Sequence, residues 1–279
     1  MGIFEEFVDV ITKICEIITI PYIKKIFIPK NRNFINKNTK NKFGVVILED
    51  LSIGIIYLNL LEVITKNKIN LIYNKYLKRD PCVVLKEIDS KDNFTKTIGF
   101  GIINAISQFV FKKSNYQFNF TNDVFGLINL KSKDHIGMVG FFPPLVKKIN
   151  EMGFNLTIIE KKKELVKKTD KWEVSLNPAK LEFCNKILCT STTVLNDSID
   201  DILKYSSNAE KIAIIGPTAG FIPDPLFKRN IDIVGGTYIK NATLFLKLIT
   251  QNKKWSQATE KYCIIKNSYT GFDRILQKI

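Results

Sequence analysis

In the second half of this chain, short apolar runs repeatedly end on residues able to hold a small ligand. The first run closes on Gly140-Phe141-Phe142-Pro143-Pro144 and the second on Glu160. The third opens into Thr190-Ser191-Thr192-Thr193 and then Asn196, the fourth into Gly216-Pro217-Thr218, and the fifth into Gly235-Gly236-Thr237. Glycine lets backbone N–H groups come close to a ligand, and hydroxyls both give and accept hydrogen bonds. A carboxylate can take a ribose hydroxyl or a hard cation. Glu160 lies 20 residues beyond Gly140, near the spacing at which a nucleotide-binding fold places its ribose-binding acid. The preceding loop, however, is not G-x-G-x-x-G. Pro143 and Pro144 remove two of the N–H groups that a pyrophosphate cradle would use. The standard NAD mode is therefore disfavoured, and a nucleoside or S-adenosyl compound is penalised less. Plainer roles stand beside these: Asn196-Asp197-Ser198 reads as a helix cap, and Glu160 as a solvated acid beside Lys161–Lys163.

Other chemistries find less support. The sole histidine, His135, begins the first of these runs and so belongs to the edge opposite the loops. Cys184 and Cys189 lack the second pair that a zinc site needs. No Ser-His-Asp or Cys-His pattern appears locally, which argues against a nucleophilic hydrolase. Five widely spaced cysteines (Cys15, Cys82, Cys184, Cys189, Cys263) with no signal peptide suggest a reduced, cytoplasmic chain.

The elements that must position these groups follow from periodicity. Runs at His135–Phe142, Asn155–Glu160, Lys186–Thr190, Lys211–Gly216 and Asp232–Gly235 read as strands, with helices expected at Pro143–Met152, Ser198–Ser206, Asp224–Arg229 and Asn241–Thr250. Alternation of this kind, with continuous rather than alternating apolar strands, predicts a parallel sheet covered on both faces. The ligand crevice of such a sheet lies beyond the carboxyl ends of its strands. Upstream, Gly44–Glu49 and Ser52–Leu58 read as paired strands, Leu60–Asn67 as a strand or short helix, and Asn31–Lys42 as a basic loop. Lys68–Arg79 has no assignable pattern. Asp92–Lys112 has helical spacing with small residues interspersed, and it carries the polar Asn104.

The chain has 279 residues and a formal charge of +15. Its lysines are scattered, apart from Lys161–Lys163 with Lys167 and Lys168, so a solvated surface is favoured over a polyanion-binding one, and nucleic acid is not the expected partner. Met1–Ile28 is apolar but interrupted by charges, and it reads as an amphipathic helix rather than a membrane span of about 18 residues.

The segments Gly137–Val146 (GMVGFFPPLV), Thr190–Asn196 (TSTTVLN), Gly216–Phe227 (GPTAGFIPDPLF), Asp232–Thr237 (DIVGGT) and Thr97–Ser107 (TIGFGIINAIS) resemble a two-domain family labelled "putative heavy-metal chelation", of unknown function. The resemblance spans roughly residues 43–265. It implies an α/β protein: a small enolase-N-terminal-like α+β domain, residues 1–125, followed by a Rossmann-like parallel-sheet domain, residues 126–279. It also implies an interdomain crevice lined by the motif loops and by the helix bearing Asn104. The expected ligand is a small molecule or metal complex. The expected contacts are Asn104, Gly140, Phe141, Phe142, Pro143, Glu160, Ser191, Thr192, Thr193, Asn196, Gly216, Pro217, Thr218, Gly236 and Thr237. Two alternatives stay open, an S-adenosyl- or NAD-type enzyme and a polyanion-binding protein. The cofactor, a metal ion or a nucleotide-type molecule, is not chosen by the sequence, and a homodimer is compatible with it.

Overall fold

A computed structural model describes residues 2–29, 42–58, 66–121 and 124–279. The first half contains α1 (Ile3–Ile17), β1 (Ile23–Phe27), β2 (Phe43–Leu48), β3 (Ile53–Tyr57), α2 (Lys66–Tyr76), α3 (Pro81–Lys86) and α4 (Asn93–Lys113). The second half runs α5 (Val124–Ile128), β4 (His135–Val139), α6 (Pro143–Glu151), β5 (Asn155–Ile159), β6 (Lys167–Lys168), β7 (Trp172–Ser175), β8 (Lys186–Thr190), α7 (Thr192–Leu195) and α8 (Ile199–Lys204). It continues with β9 (Lys211–Ile215), α9 (Asp224–Phe227), β10 (Ile233–Ile239), α10 (Ala242–Thr250), β11 (Thr259–Ile265) and α11 (Phe272–Leu276).

Strands β1-β2-β3 form an antiparallel three-stranded sheet. Helix α4 lies on it closely because two glycines leave room. A Cβ at Gly54 would come 2.0 Å from the Gly101 carbonyl oxygen, and one at Gly101 would come 2.5 Å from Ile56. The expected strands at residues 44–49 and 52–58 and the helix at 92–112 are thus present to within a residue or two. The amphipathic helix expected over Met1–Ile28 ends at Ile17, and the rest of that stretch supplies strand β1 at Ile23–Phe27; helices α2 and α3 had no legible pattern in the sequence. The basic stretch at 31–42 lies outside the described residues except for its last position, and so does most of the segment at 60–67.

The second sheet has eight strands in the order β11-β10-β9-β8-β4-β5-β7-β6. Strands β7, β5, β4, β8, β9 and β10 are mutually parallel. Counted along the chain, their spatial order is 3-2-1-4-5-6, the order that doubly wound nucleotide-binding sheets have. The order reverses between β4 and β8, the place where sheets of this order hold a ligand when they bind one.

Three departures from the expected strands have physical causes. Strand β7 is short and flanked by charge, so it carries no apolar run; it supplies the third parallel strand. Strand β11 pairs antiparallel with β10 from Ile233↔Ile265 to Ile239↔Thr259. That pairing extends β10 past the expected end at Gly235, so Gly236 and Thr237 lie within a strand rather than in a loop after it.

One hydrophobic core joins both sheets. It runs from Ile3, Phe7 and Ile14 of α1 through Ile98 and Ile102 of α4 to Ile187, Ile214, Phe221 and Tyr262. Phe7 meets Phe221 with ring centroids 4.6 Å apart. Helices α5 and α6 cover the opposite face of the large sheet through Phe125, Ile128 and Ile149. Helix α10, from the end of the chain, packs Phe245 and Leu248 on Val45, Ile47 and Ile55 of the small sheet. The expectation of five free cysteines needs correction: Cys15 of α1 is joined to Cys82 of α3 by a disulfide. No described helix is long and apolar enough to cross a membrane.

Candidate functional site

Helix α4 docks its polar side chains onto the carboxyl edge of the large sheet. Positions 96, 104, 107 and 108 fall within one third of the helix circumference at 3.6 residues per turn. Lys96, buried at 5% exposure, pairs with Asp197 just after α7. The Asn104 amide donates to the Ile55 carbonyl of β3 and to the Thr218 carbonyl, each at 3.0 Å. Ser107 Oγ accepts from the Ile222 N–H at 3.0 Å. Gln108 Nε2 donates to the Gly220 carbonyl at 2.7 Å. The segment 217–222 after β9 is therefore held against α4 by backbone-directed hydrogen bonds, and its carbonyls and amide are satisfied away from water.

Several of the expected site residues converge there. Ser191 Oγ and Thr218 Oγ1 share a buried hydrogen bond of 2.8 Å, linking the loops after β8 and β9. Gly216 (φ +156°) sits beside them; a Cβ there would meet Ser191 Oγ at 2.2 Å, so only glycine allows this approach. Across the switch point, a Cβ at Gly140 would lie 3.1 Å from Thr190 Cγ2, so the carboxyl ends of β4 and β8 are in contact. Thr192 Oγ1 accepts from Thr190 Oγ1 at 3.0 Å, and Thr193 Oγ1 donates to the Thr190 carbonyl at 2.7 Å. Of these expected residues and their neighbours, Gly140, Phe141, Phe142, Thr190, Thr192 and Pro217 are half-exposed, and Ser191, Thr193, Thr218 and Asn104 are buried.

Asn104 carries the most pointed feature. Its amide nitrogen makes two hydrogen bonds, which fixes the orientation of the group. Its Oδ1 has no partner, and no other buried side-chain nitrogen or oxygen among the described residues is left so. A buried acceptor without a donor is costly.

Other expected site residues are engaged in structure. Glu160 accepts from the backbone N–H groups of Phe141 (3.2 Å), Lys161 (2.8 Å) and Lys162 (3.4 Å), tying the loop after β4 to the end of β5. Asn196 Oδ1 accepts from Ser198 N and Ser198 Oγ in a turn before α8, whose N-cap residue, Ser198, makes no side-chain capping bond, so the expected cap is not formed. Pro143 is exposed at the first turn of α6. Gly236 packs under Tyr262, whose hydroxyl would lie 2.5 Å from an added Cβ. Thr237 stands opposite Lys261 in the β10–β11 ladder. Sequence reasoning missed Lys96, Ser107, Gln108 and Tyr262. A search for polar residues sharing one face of an otherwise apolar helix would have found the first three.

Metal donors are sparse. No group of three or more His, Cys, Asp or Glu able to hold an ion occurs among the described residues. Cys189 is fully buried near Thr193, and burial pushes its thiol up to about 12. Burial likewise lifts Cys184 to about 12 and Cys263 to about 11. His135 Nε2 lies 2.9 Å from Thr157 Oγ1 at the amino end of β4, away from the loops as expected, and burial lowers its pKa. A groove of about 460 Å³ lies at the β6–β7 edge, lined in part by Lys167, Lys168, Glu173 and Lys180.

The family model described as "Putative heavy-metal chelation" (DUF364) matches residues 123–267. An uncharacterized protein of Methanocaldococcus jannaschii is 29% identical over 182 residues, covering 62% of this chain and 67% of that protein. A DUF364 protein of unknown function from Pyrococcus horikoshii superposes with a TM-score of 0.69 at 16% identity, over 94% of this chain and 99% of that one. Another from Desulfitobacterium hafniense gives 0.71 at 17% identity, over 94% and 98%. At such identities the two structures establish a shared fold.

Proposed function

This chain belongs to the DUF364 family, and on that premise we propose that it binds a small polar molecule, or a metal already complexed by one. The proposed site is where the loops after β4, β8 and β9 meet α4. The observation that carries this reading is the buried, unpartnered Oδ1 of Asn104, whose amide nitrogen holds the Thr218 carbonyl next to the Ser191–Thr218 hydroxyl pair. The surrounding groups are neutral hydroxyls and amides, so they suit a ligand rich in hydrogen-bond donors and acceptors. They do not suit a bare heavy-metal ion. Soft ions select thiolate or imidazole, and the nearest thiol, Cys189, is neutral and enclosed. If a metal reaches this site, its ligands come with it.

A thermal-shift screen of metals, chelates and nucleotides tests the proposal, with Thr192→Val as the site variant. Thr192 is half-exposed, and its loss leaves the Asn104 and Ser107 hydrogen bonds intact. At least one compound should raise the wild-type melting temperature and fail to raise that of the variant. A screen in which every shift survives Thr192→Val rejects the location.

A second reading, an S-adenosyl- or NAD-type enzyme, draws on the 3-2-1-4-5-6 strand order. Its difficulty is Glu160, whose carboxylate already accepts three backbone N–H groups and has little capacity left for a ribose. Calorimetry with S-adenosylhomocysteine and NAD decides it, since saturable binding is required.

A further inference from the structure

We propose that the groove at the β6–β7 edge docks an extended, acidic peptide segment of a partner protein. This groove stands apart from the site proposed above, because β5 and β4 lie between β7 and β8 in the sheet order. It encloses about 460 Å³. Val166, Val174 and Leu176 give it apolar walls, and Lys167, Lys168 and Lys180 give it charge. Val166 and Leu176 are 52% and 44% exposed, so the apolar part of the groove is open at the surface.

Charge selects an acidic occupant. Residues 160–180 hold seven lysines against four carboxylates. Two of those carboxylates are already engaged, Glu173 with Lys180 at 2.6 Å and Glu160 with three backbone N–H groups. Lys161, Lys162, Lys163, Lys167 and Lys168 are all exposed. The backbone ties the first three to the groove wall: Val166 N–H donates to the Lys163 carbonyl at 3.1 Å, and Glu160 N–H donates to the Ser175 carbonyl at 3.0 Å. Such a cluster attracts acidic groups. It also argues against a second copy of this chain, which carries a formal charge of +15, since lysine on an edge strand resists self-pairing.

Edge geometry selects an extended chain. Strand β6 is the last strand on its side of the sheet. Thr169 N–H donates to the Trp172 carbonyl at 2.8 Å, and Lys168 is the next residue in register, opposite Glu173. Alternation along an antiparallel pair then turns the N–H and C=O of Lys168 away from β7, towards the open edge. A peptide lying along β6 takes up both groups, its acidic side chains meet the lysines, and its apolar side chains meet Val166 and Leu176. A single-stranded nucleic acid fits less well. Such strands are held by stacking on aromatic faces, and among the described residues no aromatic ring lines this groove. The neighbouring Trp172 ring is covered by the Lys167 ammonium, 5.6 Å from its centroid.

The test is fluorescence anisotropy on the full chain at low salt. The probe is a labelled peptide of about ten residues alternating glutamate and valine, long enough to run past β6. Its comparisons are the same peptide with glutamine for glutamate, and an oligothymidine of equal charge. The glutamate peptide should bind saturably and more tightly than either. Lys167→Glu with Lys168→Glu should weaken it about tenfold or more, the worth of two exposed ion pairs. Lys253→Glu with Lys254→Glu, an exposed pair beyond α10, changes the net charge equally and should keep the affinity. Hydrogen exchange at the Lys168 amide of the wild type should slow when the peptide is bound, a readout that stands even if a variant fails to fold. No saturable binding, equal loss in both charge-reversed variants, equal binding of the glutamine peptide, tighter binding of the oligothymidine, or an unchanged Lys168 exchange rate would each overturn the proposal.

Discussion

Arg229 offers a direct measure of how strongly the two ends of the chain are coupled. Its guanidinium makes a bidentate pair with Glu6 of α1, at 2.7 and 2.8 Å, and its Nε reaches Asp200 of α8 at 2.7 Å. The Arg229 and Glu6 side chains are 14% and 22% exposed, against 52% for Asp200. At an effective dielectric of about 20, two charges roughly 4 Å apart attract by about 4 kcal/mol. Partial desolvation offsets about half of this, which leaves a coupling of about 2 kcal/mol for Glu6 and about 0.5 kcal/mol for the more exposed Asp200. Arg229→Leu should therefore destabilise the fold by about 2–3 kcal/mol, because it also strands the Glu6 carboxylate. Urea denaturation of wild type, Glu6→Gln, Arg229→Gln and the double variant closes a double-mutant cycle. The coupling should persist in part at 1 M salt, where an exposed pair would be screened. A coupling energy below about 0.5 kcal/mol, or two separate unfolding transitions with only one affected by Arg229, would refute the claim that α1 is bound into the core of the second half.

Reduction of Cys15–Cys82 releases a cross-link spanning 67 residues. Loop-closure entropy puts its worth at about 4 kcal/mol, so the urea midpoint should fall clearly on adding reductant; an unchanged midpoint would mean the link does not constrain the unfolded chain. His135 is the only histidine in the chain, so its proton-NMR titration needs no assignment, and its midpoint should lie below the unfolded value because burial disfavours the imidazolium. The sign of the linkage follows. Between the unfolded pKa near 6.5 and the lower folded one, the unfolded chain binds the proton and the native chain does not, so stability should fall as pH drops through that window. His135→Gln should flatten that slope. Gly54→Ala should prevent folding or cost about 3 kcal/mol or more, since its Cβ would press on backbone atoms at 2.0 and 2.6 Å. Gly220→Ala, whose Cβ would meet its nearest neighbours at 3.5 Å, should be tolerated.

The residues most legible in the sequence were those with a local signature. Short apolar runs closing on glycine, threonine or glutamate marked β4, β5, β8 and β9, because strands buried on both faces must be apolar throughout. The helical spacing of Ile3, Phe7, Val10 and Ile14 marked α1 for the same kind of reason. Strand β7 was not legible. Trp172–Ser175 joins the sheet through backbone pairing with β5, which leaves no trace in side-chain pattern. Strand β11 escaped notice for a related reason, and with it the extension of β10 that moved Gly236 and Thr237 out of a loop.

The sequence by itself determined that several parallel strands end on glycine and hydroxyl residues, because local side-chain chemistry and periodicity suffice for that. Only the tertiary structure decided what those residues do. It turned Glu160 onto the backbone amides of Phe141, Lys161 and Lys162, tied Asn196 to Ser198 in a turn, and brought Thr218 onto Asn104 from 114 positions away. It also joined Cys15 to Cys82. These are contacts between groups far apart in the chain, set by how α1 and α4 settle against the sheet, and no short window of sequence contains both partners.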